Sequence, residues 1–282
     1  MKPKTLKEET NTKLINEANT FNEWKSLADE GDSSAQSNLA LMYYNGEGAP
    51  QDYKEAFKWY LKAADQGSDE AQNILGDMCY EGKGINVGKY DEFFNIWRSS
   101  IEAVGWLIKA TEWYRKAANQ GNAHAQYNLG CMCDTGEGML SPDKKQGIKW
   151  FRLAADQGLA SSQSALAQSY EHGDNVIKNE KLAVKWYQKA ADQGFVYAQY
   201  RLGSMYLHGT SELKDVKQGI ELILKAADQG DLTAQFHLGE LYELGINVAK
   251  DEKQAVKWYQ KAADHGFGIA QRKYKELVDK GV

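Results

Sequence analysis

Residues 196–230 read VYAQYRLGSMYLHGTSELKDVKQGIELILKAADQG. The first half carries Ala198, Leu202, Met205 and Tyr206 at helical spacing and ends at Gly209, a residue suited to terminate a helix. The second half opens at Asp215, carries Ile220, Ile223, Leu224 and Ala227, and stops at Gly230. An aspartate before an apolar run can accept the first free N–H groups of a helix through its side-chain oxygen. The stretch therefore predicts two helices joined by a short turn.

The unit recurs along the chain. Its closing glycine falls at Gly31, Gly67, Gly121, Gly158, Gly194, Gly230 and Gly266, at nearly even intervals except for the long one from Gly67 to Gly121. A glutamine follows at a fixed distance each time, from Gln36 to Gln271. Asp52, Asp143, Asn179 and Asp251 hold the capping position of Asp215. Ala40, Gly76, Gly130, Ala167, Gly203 and Gly239 sit where the first helix needs a close backbone approach. Aromatic pairs such as Trp59–Tyr60 and Trp186–Tyr187 sit midway along the second helix. Leu222–Ile223 replaces the pair once, so these aromatics fill a core rather than form a ligand box. One two-helix unit cannot bury both faces, and stacked neighbours must supply the core.

The pattern AQxxLGxxYxxGxG, then Asp, then KAxxWYxKAAxQG, resembles the Sel1-like repeat, a relative of the tetratricopeptide repeat. Residues 35–67, 198–230 and 234–266 carry it most fully, and the resemblance spans about 20 to 281. The expected fold is all-α, an α/α superhelical solenoid of about six Sel1-like two-helix repeats plus capping helices. The resemblance implies first helices lining a concave groove and a role as an adaptor or scaffold for other proteins. Among bacterial relatives it implies signalling adaptors, host-interaction factors and immunity proteins that neutralise toxins. The paired glycines after the first helix are complete only at Gly46–Gly48, Gly82–Gly84 and Gly136–Gly138, so later loops are expected to differ in shape.

Positions that repeat are structural, and positions that vary are free to bind. Beside the core stripe of the first helices lie thirty variable positions, which face the groove if the tetratricopeptide analogy holds. They hold seven carboxylates and no lysine or arginine: Glu70, Asp77, Glu81, Asp134, Glu171, Glu240 and Glu243. They also hold six aromatics: Tyr44, Tyr80, Tyr127, Tyr197, Tyr200 and Phe236. Charged residues make up 26% of the chain with nearly balanced signs, so an all-acidic set is selective. Aromatics with uniform charge suit a protein interface, and the expected partner is a basic protein. Nucleic acid is not expected there, because phosphate requires cations.

The second repeat, closed by Gly121, is half as long again as the others. The excess is about five helical turns, which preserves the helix face. The helical insertion, about residues 86–106, fits an extended second helix from Asp91, or one broken at Ser99. Phe93, Phe94, Trp97, Trp106 and Leu107 exceed one apolar stripe. They are candidates for a fold-back contact, a partner contact, or a weak dimer of an otherwise monomeric chain. Residues 1–17 read as a polar tail or cap and 18–282 as the repeat array, closed by a helix with Arg272, Lys273, Lys275 and Lys280 on a polar face.

The bulk composition is that of a globular chain, with net charge −5 and three cysteines. That excludes a disulfide-built scaffold and fits a reducing compartment. The polar, lysine-rich start carries no apolar signal segment, so the cytoplasm is the default compartment and no membrane insertion is expected. The five histidines include no HExxH, and no phosphate-binding loop or GxSxG occurs. No cofactor, metal or enzymatic activity is expected.

Overall fold

The computed structural model describes residues 19–85, 101–139, 141–209 and 214–282. The described residues form helices and no strand. Helix α1 covers residues 19–29, followed by α2 (Ser33–Asn45), α3 (Tyr53–Asp65), α4 (Asp69–Glu81), α5 (Ile101–Asn119), α6 (Ala123–Thr135) and α7 (Lys144–Asp156). Then come α8 (Ala160–His172), α9 (Glu180–Asp192), α10 (Val196–His208), α11 (Val216–Asp228), α12 (Leu232–Leu244), α13 (Glu252–Asp264) and α14 (Gly268–Asp279). The chain divides into two compact units, Met1–Ala154 and Ala155–Val282. In the first, α2 to α6 pack each on the next; in the second, α8 to α14 do the same. The fold is an all-α repeat solenoid, as the repeat pattern predicts.

The expected caps start the second helix of every repeat but the second. Asp52, Asp143, Asn179, Asp215 and Asp251 accept backbone N–H bonds from the first turn. Each cap is worth about 1 kcal/mol. The small-residue positions allow the close approach the sequence requires. A methyl group on Gly76 would stand 2.5 Å from the Tyr114 ring, and one on Gly239 2.5 Å from Tyr259. The midway aromatics are core: Tyr60, Tyr187 and Tyr259 are fully buried. Each neighbouring tryptophan carries a lysine one turn on, with ammonium 3.6 Å from the Trp59 ring centroid for Lys62 and 3.9 Å from that of Trp258 for Lys261.

The recurring glutamine proves to be a brace. Gln36, Gln72, Gln126, Gln163, Gln199 and Gln235 are buried, and each side-chain amide donates to a carbonyl at the end of the preceding helix. Each of these carbonyls already accepts the N–H of the closing glycine, as Ala64 does from Gly67 at 3.0 Å, so the amide fills the second lone pair of an end-of-helix acceptor. A second glutamine, from the QG of the repeat ending, donates to the first one's Oε1. Gln66 reaches Gln36 at 2.8 Å, Gln120 reaches Gln72 at 2.8 Å, Gln193 reaches Gln163 at 2.9 Å and Gln229 reaches Gln199 at 2.7 Å. Gln235 Oε1 is buried without a partner. The residue one repeat on is His265, not glutamine.

Two later loops keep the shape they were expected to lose. Asn175 and Asn247 replace the second glycine and hold φ of 57° and 61°, beside 70° at Gly48 and 74° at Gly84. Asparagine tolerates the left-handed region better than most residues, so the loop survives the exchange. Gly209 departs instead, with φ −68° and ψ 174°.

In the second repeat α5 runs 19 residues where the other second helices run 13. Trp106 therefore lies inside the helix, not at its cap. Phe93, Phe94 and Trp97, and the choice between a start at Asp91 and a break at Ser99, lie outside the described residues, as do residues 1–17. The closing helix α14 exposes Arg272 and Lys275, with Lys280 exposed just past its end, but Lys273 turns inward onto Glu243 rather than joining the polar face.

Candidate functional site

The first helices of the second unit are α8, α10, α12 and α14. Here Tyr187 Oη donates to Glu171 at 2.9 Å, and Arg201 pairs with the same carboxylate. The set recurs two repeats later, where Tyr259 Oη donates to Glu243 at 2.7 Å and Lys273 Nζ lies 3.1 Å away. The two glutamates are only 17% and 15% exposed. Glu171 and Glu243 are thus committed to the fold, and the cations that meet them neutralise part of the face the sequence reads as acidic. Glu240 is half-buried, and burial pushes its carboxyl above the usual range. Tyr197 is exposed, Tyr200 packs edge-on against His237, and Phe236 packs against Tyr259 and Phe267.

In the first unit the acidic groups are differently placed. Asp77 accepts from Tyr114 Oη at 2.7 Å and from Asn128 at 3.0 Å. Burial raises its carboxyl, against the opposing effect of the Tyr114 hydrogen bond. Tyr80 Oη donates to Glu137 at 2.8 Å. These groups, with Glu81, Cys131 and Thr135, line a cavity of about 320 Å³. Lys83 bonds the Tyr44 hydroxyl and Glu81, each at 2.8 Å. Tyr127 leans on Phe151. Glu70, Glu81 and Asp134 are exposed. Both units pair carboxylates with lysine or arginine, but in the first unit Glu81, paired with Lys83, and Asp134, paired with Lys144, stay exposed, while the second buries Glu171 and Glu243.

On α5, Trp106 is half-buried and packs edge-on against Phe57. Along the same helix Val104 and Ile108 are 50% and 45% exposed and line a groove of about 1070 Å³ with Met139 and Glu137.

His172 and His208 share a cavity of about 350 Å³ with Glu171. Among the described residues no cluster of three His, Cys, Asp or Glu side chains is placed to hold a metal. The three cysteines are free, and burial pushes the Cys79 thiol up to about 12. Among the described residues no helix is long and apolar enough to cross a membrane.

The repeat seen in the packing matches one family model. The Sel1 repeat model fits residues 33–68, 69–91, 102–122, 123–159, 160–195, 196–231 and 232–267. The chain is a Sel1 repeat protein. The unmatched stretch between 91 and 102 falls in the insertion that lengthens the second repeat. Sel1 repeats form a protein-interaction fold. This Sel1 repeat protein is similar to a Sel1 repeat protein from Oxalobacter formigenes, with 28% identity and a TM-score of 0.69 over 82% of this chain and 85% of that one. It is also similar to c5321, a protective antigen of uropathogenic Escherichia coli with an SLR fold (29% identity, TM-score 0.48, 94% of this chain and 68% of that one). A third similar structure is the immunity protein PA5088 of Pseudomonas aeruginosa (18% identity, TM-score 0.48, 88% and 82% covered). No curated protein matches the sequence.

Sequence reasoning missed Arg201 and Lys273 as partners of the second unit's glutamates, and Asn128 and Glu137 as partners of Asp77 and Tyr80 in the first unit. A signal for the first two is present. Arg201 and Lys273 share one repeat position, and each follows its glutamate, Glu171 or Glu243, and its tyrosine, Tyr187 or Tyr259, at the same separation.

Proposed function

We propose that this Sel1 repeat protein is a cytoplasmic adaptor that binds a basic segment of another protein along the first-helix groove. The observation that carries the reading is the exposure of Glu70, Glu81 and Asp134 on the first helices of the first unit, with Glu81 lining the same cavity as Asp77, Tyr80 and Glu137. Carboxylates around tyrosine rings offer charge attraction and apolar area to a lysine or arginine side chain. In the second unit Tyr197, Tyr200 and Phe236 supply contact area with less net charge.

The test is affinity capture from native lysate, with Glu70→Lys/Glu81→Lys/Asp134→Lys run beside wild type. All three positions are exposed, so the variant should fold. A basic protein captured by wild type, released by moderate salt and lost in the variant supports the reading. A partner retained by the variant sinks it and turns attention to the α5 groove. If the captured protein is a toxin that the chain inactivates, the role is immunity rather than assembly.

A further inference from the structure

One position on the face breaks the pattern of its neighbours. His237 on α12 stands where Arg201 stands on α10 and Lys273 on α14. Those two cations meet a glutamate one repeat earlier, and that glutamate also accepts from a buried tyrosine. For His237 the corresponding residues are Leu207 and Ile223, both buried and apolar. The imidazole finds another histidine instead. The rings of His208 and His237 stack with centroids 5.5 Å apart and 16° between planes. Tyr200 closes one side, edge-on at 6.1 Å. His237 Nδ1 is buried and makes no hydrogen bond.

Of the charged groups on α12 and on the helices packed against it, α11 and α13 included, only His208 acts on the His237 imidazole beside its burial; Asp231 and Glu240 act on Tyr200 instead. From α10 come His208 itself and Arg201, which is engaged by Glu171. From α14 comes Lys273, engaged by Glu243. On α12 the nearest carboxylate in sequence is Glu240, one turn on and half-buried, its carboxyl raised by burial against the opposing charge of Lys273. Burial, and then His208, hold His237 below the ordinary imidazole value.

We propose that the stacked His208–His237 pair makes the α10–α12 face a proton-sensitive joint, closed at neutral pH and loosened in mildly acidic solution. The sign follows from linkage. A histidine whose folded-state affinity for a proton is depressed binds that proton better in the opened state. Its contribution to stability is present above the unfolded imidazole value, about 6.5, and is lost as pH falls toward the folded value. Histidine is the side chain suited to act in this range. The device stands whether or not the face binds a protein. If it does, Tyr200 is a contact residue that moves with the joint.

The experiment is hydrogen exchange of the full chain from pH 7.5 to 5.5, corrected for intrinsic rates, with α13 and α14 as the internal reference. In wild type, opening of α10 and α12 should rise severalfold toward pH 5.5 relative to that reference. His237→Gln should abolish the slope. Leu207→Glu/Ile223→Tyr copies the set found around Glu171 and Glu243, gives the imidazolium a carboxylate, and should reverse it. A flat wild-type profile, or a slope that persists in His237→Gln, overturns the proposal. The NMR titration of His237 in wild type decides independently of any variant. A midpoint below that of a free imidazole supports the joint, and one at or above it overturns it.

Discussion

Replacing His265 by glutamine should stabilise the second unit. Four glutamines of the repeat ending donate to a buried glutamine one repeat earlier, at 2.7–2.9 Å. At His265 that donor is missing and Gln235 Oε1 is left buried and unpaired. The backbone is already suited to the exchange: His265 has φ −97° and ψ 16°, against −82° and 2° at Gln229. A net intramolecular hydrogen bond is worth roughly 0.5–1.5 kcal/mol, and it here also relieves a buried acceptor. Ordering an exposed glutamine side chain takes back part of that. The expected gain is about 1 kcal/mol, or a rise in melting temperature of roughly 2–4 °C for a chain of this size. His265→Ala is the control that removes the imidazole without adding a donor. Gln229→His is the mirror experiment, because it orphans Gln199 Oε1 and should cost a similar amount. Thermal melts read the global effect, and hydrogen exchange in α12 and α13 locates it. The brace has no energetic weight if His265→Gln is no more stable than His265→Ala, or if Gln229→His is neutral.

Three further outcomes test the packing. Tyr60 Oη is buried without a partner, whereas Tyr259 Oη donates to Glu243. Tyr60→Phe should therefore be neutral or slightly stabilising in a denaturant melt, and Tyr259→Phe should cost about 1–2 kcal/mol. Gly239→Ala drives a methyl group to 2.5 Å from the Tyr259 ring and should destabilise the second unit by about 1–3 kcal/mol, read in the same melt. Cys79 is fully buried with its thiol pushed up to about 12, so it should resist iodoacetamide at pH 8 in the native chain and react fully in urea, as mass spectrometry of the labelled chain would show.

Much of the fold is legible in the sequence because a repeat states each rule several times. The capping aspartates, the small residues under the tyrosines and the closing glycines each recur at one register, and each has the predicted geometry. Recurrence also identified the glutamines, but not their use. Spacing shows that Gln72 matters; it does not show that its amide seeks the Ala64 carbonyl while its oxygen waits for Gln120. The loop shape was misread for a related reason. Replacing glycine by asparagine looks like a break in the pattern, yet Asn175 and Asn247 satisfy the same backbone demand. In the insertion the register was legible only as far as the face preserved by whole turns.

The candidate site was harder to read because a variable position is not thereby a free one. Glu171 and Glu243 vary against Tyr44, Tyr80, Asp134 and Leu207 at the same register, which made them resemble ligand contacts. The structure shows that each is answered by a cation one repeat on, while the tyrosine between glutamate and cation also accompanies Tyr44 and Tyr80, as Tyr60 and Tyr114. Glutamate comes with a tyrosine on the following helix and a cation on the one after that; Leu207 comes with Ile223 and His237. Variation answered in this way by a neighbour is packing chosen repeat by repeat, as the polar sets of Glu171 and Glu243 and the apolar pair of Leu207 and Ile223 show. Variation that no neighbour answers, as at the exposed Glu70 or Tyr197, is what a binding surface leaves. His237 falls between the two cases. It belongs to an apolar set by its neighbours and to a cationic set by its chemistry, and that mismatch gives a proton its leverage at this point in the array.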